Sequence, residues 1–225
     1  MSEEIRTEEE QVEAIKNWWN ENGKSLIVTV VVVLGGYFGW NGYQEQQRTQ
    51  GEAASSVYQQ LVNKATKPVT EQTEADKLEL ETVAAQLKEE FPGSLYAKFG
   101  GLYLAKFAIE ANDFEGAAAE LQALVDAGDK GPITYLAQVR LARVFIQLEK
   151  LDEALVLVET TPEASFTTQY EETKGDVLFA KGELTAALTA YQAARASATA
   201  LGINTQVLQR KIDDLAGAKL ANTDA

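Results

Sequence analysis

Asn112-Asp113-Phe114-Glu115-Gly116-Ala117, Glu149-Lys150-Leu151-Asp152-Glu153-Ala154 and Gly182-Glu183-Leu184-Thr185-Ala186-Ala187 are three versions of one pattern. Each runs from polar turn residues through a large apolar residue into a helix-forming stretch, and each ends on alanine. The three alanines lie 37 and 33 residues apart. Twelve residues before each stands another small residue: Ala105, Ala142 and Gly175. Four and seven residues after each come Leu121 and Leu124, Val158 and Thr161, Tyr191 and Ala194. Self-similarity at this period is the signature of stacked helical hairpins. Small residues at fixed offsets serve where two helix axes approach to about 8–10 Å.

The spacing resembles the tetratricopeptide repeat, in which two antiparallel helices cross at small side chains and a large residue, here Phe114, Leu151 or Leu184, fills the turn. Gly101, Gln138 and Glu171 stand where that family carries a large aromatic, so the repeats are degenerate. An alanine-rich ordinary bundle is the alternative. The rest of the chain beyond Tyr43 is also helical in pattern. Gln44–Val62 carries Ala54, Val57, Tyr58 and Leu61 on one stripe, and Glu74–Phe91 carries Leu80, Val83, Ala84 and Leu87. Thr205–Leu220, with Leu208, Ile212 and Leu215 on a polar background, reads as a capping helix. Pro68, Pro92, Pro132 and Pro162 all fall between helical patterns, where a missing N–H costs little. Gly100-Gly101 falls inside a predicted helix, which implies either close helix packing or a kink.

Upstream, Ser25–Tyr43 reads SLIVTVVVVLGGYFGWNGY and holds no ionisable group except tyrosine phenols. As a helix it extends about 28 Å, close to the hydrocarbon thickness of a bilayer. Trp18 and Trp19 precede it and Tyr37, Trp40 and Tyr43 close it, the aromatic margins that a membrane interface favours. A cleaved signal peptide would have a short basic leader, whereas residues 1–24 hold seven acids and three bases. A buried soluble helix, or a core strand at Val30–Val33, is the other alternative. Arg6, Lys16 and Lys24 flank the N side and Arg48 the other, which places the N-terminus in the cytoplasm. The leader has Ile5, Val12, Ile15 and Trp19 on a weak stripe, so an interfacial helix and a disordered tail are both open. Gly35 and Gly39 form a small-xxx-small face suited to a partner helix.

The expected fold is thus all-α: an N-terminal transmembrane helix followed by a tetratricopeptide-like α-solenoid. Its parts are an acidic cytoplasmic segment (1–24), the transmembrane helix (25–43), membrane-proximal helices (44–92), the repeats (93–204), and a capping helix and tail (205–225).

Composition narrows function further. The chain has 225 residues, 20 Lys+Arg against 34 Asp+Glu, a net charge of −14, and neither His nor Cys. Acidity argues against nucleic acid. The missing side chains remove thiol nucleophiles, disulfides, Cys/His metal sites and imidazole triads. The adjacent acids Glu89-Glu90, Glu171-Glu172 and Asp213-Asp214 diverge by about 100° on a helix and read as solvated faces. The expectation is a non-enzymatic protein with no cofactor and no small-molecule substrate.

Partner binding falls to the first helices of the repeats. The register puts Phe99, Leu102, Lys106 and Ile109 on the concave face, then Leu136, Val139, Arg143 and Ile146, then Gln169, Glu172, Asp176 and Phe179. Two helices thereby present apolar side chains with one base each, which suits an apolar peptide or amphipathic helix. Coverage of this strip by the chain's own helices is the alternative.

The acidic leader with Ile15-Lys16-Asn17-Trp18-Trp19, the span ending Gly36-Tyr37-Phe38-Gly39-Trp40, and Phe91-Pro92-Gly93-Ser94-Leu95-Tyr96-Ala97 entering the repeats together resemble the ancillary SecYEG translocon subunit family. The resemblance implies a single-pass inner-membrane protein with a periplasmic repeat domain. It also implies association with the protein-conducting channel SecYEG and with a membrane-anchored, isomerase-like periplasmic chaperone; an exported polypeptide is the other candidate occupant of the concave face. A scaffold for another envelope complex, its groove filled internally, is the second reading.

Overall fold

A computed structural model describes residues 8–67, 71–128 and 130–221, and among them the chain is helical, with no strand. The helices are α1 (Glu8–Ala65), α2 (Glu74–Glu90), α3 (Leu95–Glu110), α4 (Phe114–Asp126), α5 (Pro132–Gln147), α6 (Leu151–Val158), α7 (Thr167–Ala180), α8 (Leu184–Ala200) and α9 (Gln206–Ala221), with one 3-10 turn at Ala164–Phe166. The chain divides into two units, Met1–Ala53 and Ala54–Ala225.

In the first unit the described residues belong to α1, whose Glu9–Ala65 stretch is long and apolar enough to cross a membrane. Val31, Val32, Val33 and Phe38 each stand more than 60% exposed, so this stretch is not a soluble core helix or strand. An apolar helix of this length suits an apolar solvent. Gly23 is the exception to this exposure. The Trp19 indole, one turn earlier, lies 3.2 Å from where a Cβ would stand. Gly35 and Gly39 have nothing within 4 Å of that position. Residues 1–7, with Ile5 and Arg6, lie outside the described residues, and Val12, Ile15 and Trp19 are helical and exposed.

The second unit is a run of antiparallel hairpins. Each helix packs on the next in sequence from α2 to α9, and α5 additionally touches α7. The end of α1 joins through Leu61, which is fully buried with Leu80, Ala84 and Leu87 of α2. Capping explains where the helices begin. Thr73 and Asp76 form a reciprocal capping box on α2, Ser94 accepts from Ala97 N–H on α3, and Asp113 accepts from Gly116 N–H on α4. Pro132 opens α5, where its missing N–H has no helical partner to lose. Helix α6 stops at Val158 because Pro162 pushes Thr161 out of helical conformation. Thr161 therefore lies beyond the helix and does not take the packing position that the repeat alignment expects of it.

The repeat is physical as well as textual. Ala105, Ala117, Ala142, Ala154, Gly175 and Ala187 are all buried at helix crossings. All three hairpins also turn through the same motif. Asn112, Glu149 and Gly182 adopt left-handed backbones at φ 60°, 57° and 79°. The next N–H in each case donates five residues back, Asp113 to Ala108 at 2.8 Å, Lys150 to Phe145 at 2.8 Å and Glu183 to Leu178 at 2.9 Å. This closes each first helix and aims the chain into the second. Gly182 accepts that backbone without strain, whereas Glu149 holds it against its own Cβ.

Close approach, and not a kink, explains Gly100 and Gly101, since α3 runs unbroken through both. A Cβ on Gly100 would stand 2.6 Å from the Ala84 carbonyl oxygen of α2. Gly101 faces the Leu124 side chain of α4 at 3.4 Å, so that leucine fills the place of the missing aromatic. At the equivalent position of the second repeat, Gln138 accepts a hydrogen bond from the Tyr170 hydroxyl.

Candidate partner-binding face

The equivalence of Ala105, Ala142 and Gly175 assigns faces to α3, α5 and α7. Those three positions meet the second helices of the hairpins. Leu102, Val139 and Glu172, three residues earlier, turn towards the next first helix. Ile146, two turns on from Val139, packs against the same cluster as Val139, whereas Ile109 and Phe179 stand exposed. The inner face, the side left over, carries Phe99, Leu136 and Gln169, then Tyr103, Arg140 and Thr173, then Lys106, Arg143 and Asp176; of these Thr173 is fully buried and Asp176 is reached by Tyr191 of α8. At 100° per residue this face is rotated by about half a turn-step from the expected strip.

That rotation corrects two of the candidate residues. Leu102 is 7% exposed, packed with Ala137 and Leu141, and Val139 is 2% exposed, packed with Tyr170 and Val177. Neither is open to a partner, because stacking one first helix on the next consumes that side of both. Leu136 and Ile146 are half-buried at the edges of the same clusters. Ile109 and Phe179 stand at 36% and 53% exposure near the ends of their helices, where no further first-helix turn covers them.

The chain occupies both ends of the inner face. At one end Tyr58 of α1 stacks on Phe99 with ring centres 5.2 Å apart and meets Tyr96 at 5.4 Å. Its phenol is raised above the ordinary tyrosine range by burial, with Tyr103 and Tyr96 adding to the effect. At the other end Lys211 of α9 donates to Glu172 at 2.9 Å and Asp176 at 2.6 Å, and its ammonium sits 5.3 Å from the centre of the Tyr191 ring. The Tyr191 hydroxyl donates to Asp176 at 2.8 Å, and burial first, then that hydrogen bond, pushes its phenol far upward. Thr173 is fully buried, receiving a hydrogen bond from Arg143 Nε at 3.2 Å.

Between these ends lie the bases. Lys106 pairs with Glu110 one turn on, at 3.1 Å, and Arg143 reaches Glu172 only at 3.9 Å. Arg140 is half-buried one turn from Arg143, and among the described residues no carboxylate pairs with it. Tyr58, Arg140 and Lys211 were not among the candidates. Tyr58 and Lys211 reach the face from helices outside the repeats, and no local spacing announces them. Arg140 follows from the corrected rotation alone.

The sequence matches the tetratricopeptide repeat-like domain family over residues 16–217. It is similar to an ancillary SecYEG translocon subunit of Haemophilus influenzae, with 34% identity over 92% of this chain and 97% of that protein. The Escherichia coli K12 protein of the same name is 31% identical over 92% of this chain and 96% of its own length. One from Neisseria gonorrhoeae is 29% identical over 92% and 97%. No solved structure gives a significant match. An exposed apolar helix, three hairpins with one repeated turn, and end-to-end likeness to these proteins make one case: the chain belongs to the ancillary SecYEG translocon subunit family, built on a tetratricopeptide repeat-like domain.

Proposed function

We propose that this protein is a non-enzymatic, membrane-anchored adaptor that associates with the SecYEG channel and offers the inner face of its repeats to a protein partner. The observation that carries this reading is the pairing of an uncovered apolar helix with a helical stack, in a chain whose relatives are named as translocon subunits. The Lys/Arg imbalance supports a cytoplasmic N-terminus and a periplasmic repeat domain in the inner membrane. Confinement beside a channel raises the local concentration of its clients, so weak contacts become effective without a tight site. The partners on this reading are the channel, a membrane-anchored isomerase-like periplasmic chaperone, and segments of exported polypeptides.

The docking surface is the stretch of inner face that the chain leaves open beyond the Tyr58–Phe99 stack, with Leu136, Lys106, Arg140 and Arg143 upon it and Ile109, Ile146 and Phe179 at its margin. Photo-crosslinkers placed at Ile109 and Phe179 in intact membranes test the role. Crosslinks to channel or chaperone subunits are expected, and a surface crosslinker at Val156, on the opposite side, serves as the control. Equal crosslinking from all three positions counts against a dedicated face. Protease added to spheroplasts tests orientation, and survival of residues 44–225 intact refutes the periplasmic placement.

The occupied ends of the face lend weight to the second reading, a scaffold for another envelope complex with its groove filled internally. Purification in mild detergent separates the two. Co-purified channel subunits support the adaptor, and an envelope complex without them supports the scaffold.

A further inference from the structure

Arg140 sits in an unusual balance. Its guanidinium is charged at any physiological pH, yet it is half-buried and, among the described residues, no carboxylate answers it. Burial and the neighbouring Arg143 both disfavour its charge. Arg143 is itself only loosely compensated, by Glu172 at 3.9 Å. A desolvated cation that lacks an anion costs free energy which a matching carboxylate restores. The setting makes this pair conspicuous: the chain carries a net charge of −14, and the acids on and beside the inner face are already held, Glu172 and Asp176 by Lys211 and Glu110 by Lys106.

We propose that Arg140 and Arg143 form the anion-recognising centre of the inner face, and that its occupant is an acidic peptide segment of a partner protein. The proposal rests on the inner face being the docking surface. The fork of a guanidinium takes a carboxylate in two parallel hydrogen bonds, which fixes register as well as adding affinity. Leu136, half-buried on the same face, supplies apolar ground for the side chains that alternate with the carboxylates. That apolar flank selects a peptide over a bare anion. Because the protein is otherwise strongly acidic, this local positive patch discriminates as well as attracts: acidic segments are repelled by most of the surface and held here.

The test is fluorescence anisotropy on the full chain in a mild nonionic detergent, with a labelled peptide alternating Glu and Leu as probe and the same peptide with Gln for Glu as its neutral twin. The Glu peptide is expected to bind at least tenfold more tightly than the Gln peptide, with affinity falling as salt rises. Arg140→Gln is expected to weaken the Glu peptide about tenfold and the Gln peptide hardly at all, and Arg140→Lys to recover part of the loss. Far-UV circular dichroism establishes that both variants are folded. Equal binding of the two peptides, or an Arg140→Gln variant that binds the Glu peptide as well as the parent, overturns the proposal. If Leu136→Ser weakens binding while Arg140→Gln does not, the acidic assignment fails and the inner face stands; if neither does, the face itself fails. Mixed micelles of phosphatidylglycerol form the last arm. Arg140-dependent binding of that lipid without any binding of the Glu peptide assigns the pair to a membrane surface and refutes the peptide.

Discussion

Two neighbouring glycines in the first repeat should respond to the same substitution with opposite sign. Alanine is about 1 kcal/mol better than glycine inside a helix, and both residues lie in the interior of α3. At Gly101 the new methyl would meet Leu124 side-chain carbons at 3.4–3.6 Å, which is ordinary contact. Gly101→Ala is therefore expected to stabilise by about 0.5–1 kcal/mol. At Gly100 the methyl would meet the Ala84 carbonyl oxygen at 2.6 Å and Leu87 Cβ at 3.1 Å. A backbone carbonyl in the middle of α2 has no rotamer to turn away into, so α2 and α3 must separate, and both Ala84 and Leu87 are fully buried. Overpacking of this kind costs about 1–3 kcal/mol, and the propensity gain offsets only part of it. At 2.6 Å from a backbone oxygen the cost lies in the upper part of that range, about 2–3 kcal/mol, so Gly100→Ala should end about 1–2 kcal/mol less stable. For a unit of this size that is a fall of roughly 2–8 °C in the unfolding midpoint, against a rise of about 1–4 °C for Gly101→Ala. Thermal melts of the full chain in detergent, followed by far-UV circular dichroism, read both. If the two variants shift in the same direction, the close α2–α3 crossing is not where the structure puts it.

Leu102→Glu and Val139→Glu should each cost more than about 3 kcal/mol, since either buries a carboxylate inside an apolar cluster, while Phe179→Glu should stay within about 0.5 kcal/mol; urea titrations of the three variants check this. Glu149→Gly should stabilise by roughly 0.5–1 kcal/mol by relieving a left-handed backbone, and Gly182→Ala, at the equivalent turn, should destabilise by a similar amount. Asp113→Ala should cost about 1 kcal/mol, because its carboxylate accepts from Gly116 N–H at 2.9 Å at the start of α4. The Tyr170 phenol, pushed up to about 12 by burial and then by Tyr135, makes stability fall at high pH. Folding favours its protonated form, so its contribution is complete below the unfolded value of 10.0 and is lost as pH rises towards 12. Alkaline unfolding followed by tyrosinate absorbance should be shallower in that window for Tyr170→Phe.

Much of the architecture is legible before any coordinates. Nineteen residues without a charged side chain match the length of a helix in lipid, and aromatic residues at both margins favour that over a core helix, a core strand or a cleaved leader. The crossings are equally legible, because nothing larger than alanine fits where two axes come close, and Ala105, Ala117, Ala142, Ala154 and Ala187 recur at those offsets whatever surrounds them. Even the shared turn leaves its trace in Asn112, Glu149 and Gly182. The rotation of the first helices does not. A helix in a solenoid buries two sides, one on its hairpin partner and one on its successor, and both are apolar. A 3.6-residue periodicity marks the sum of the two and not the boundary between them. That is why Leu102 and Val139 read as an open strip and are found in the core. Tertiary structure alone also decided what covers the ends of the face, since Tyr58 and Lys211 arrive from helices 41 and 39 residues away from Phe99 and Glu172 in sequence. Composition and spacing set which residues can approach one another; the stacking of hairpins chose which face was left over, and with it the half-buried Arg140.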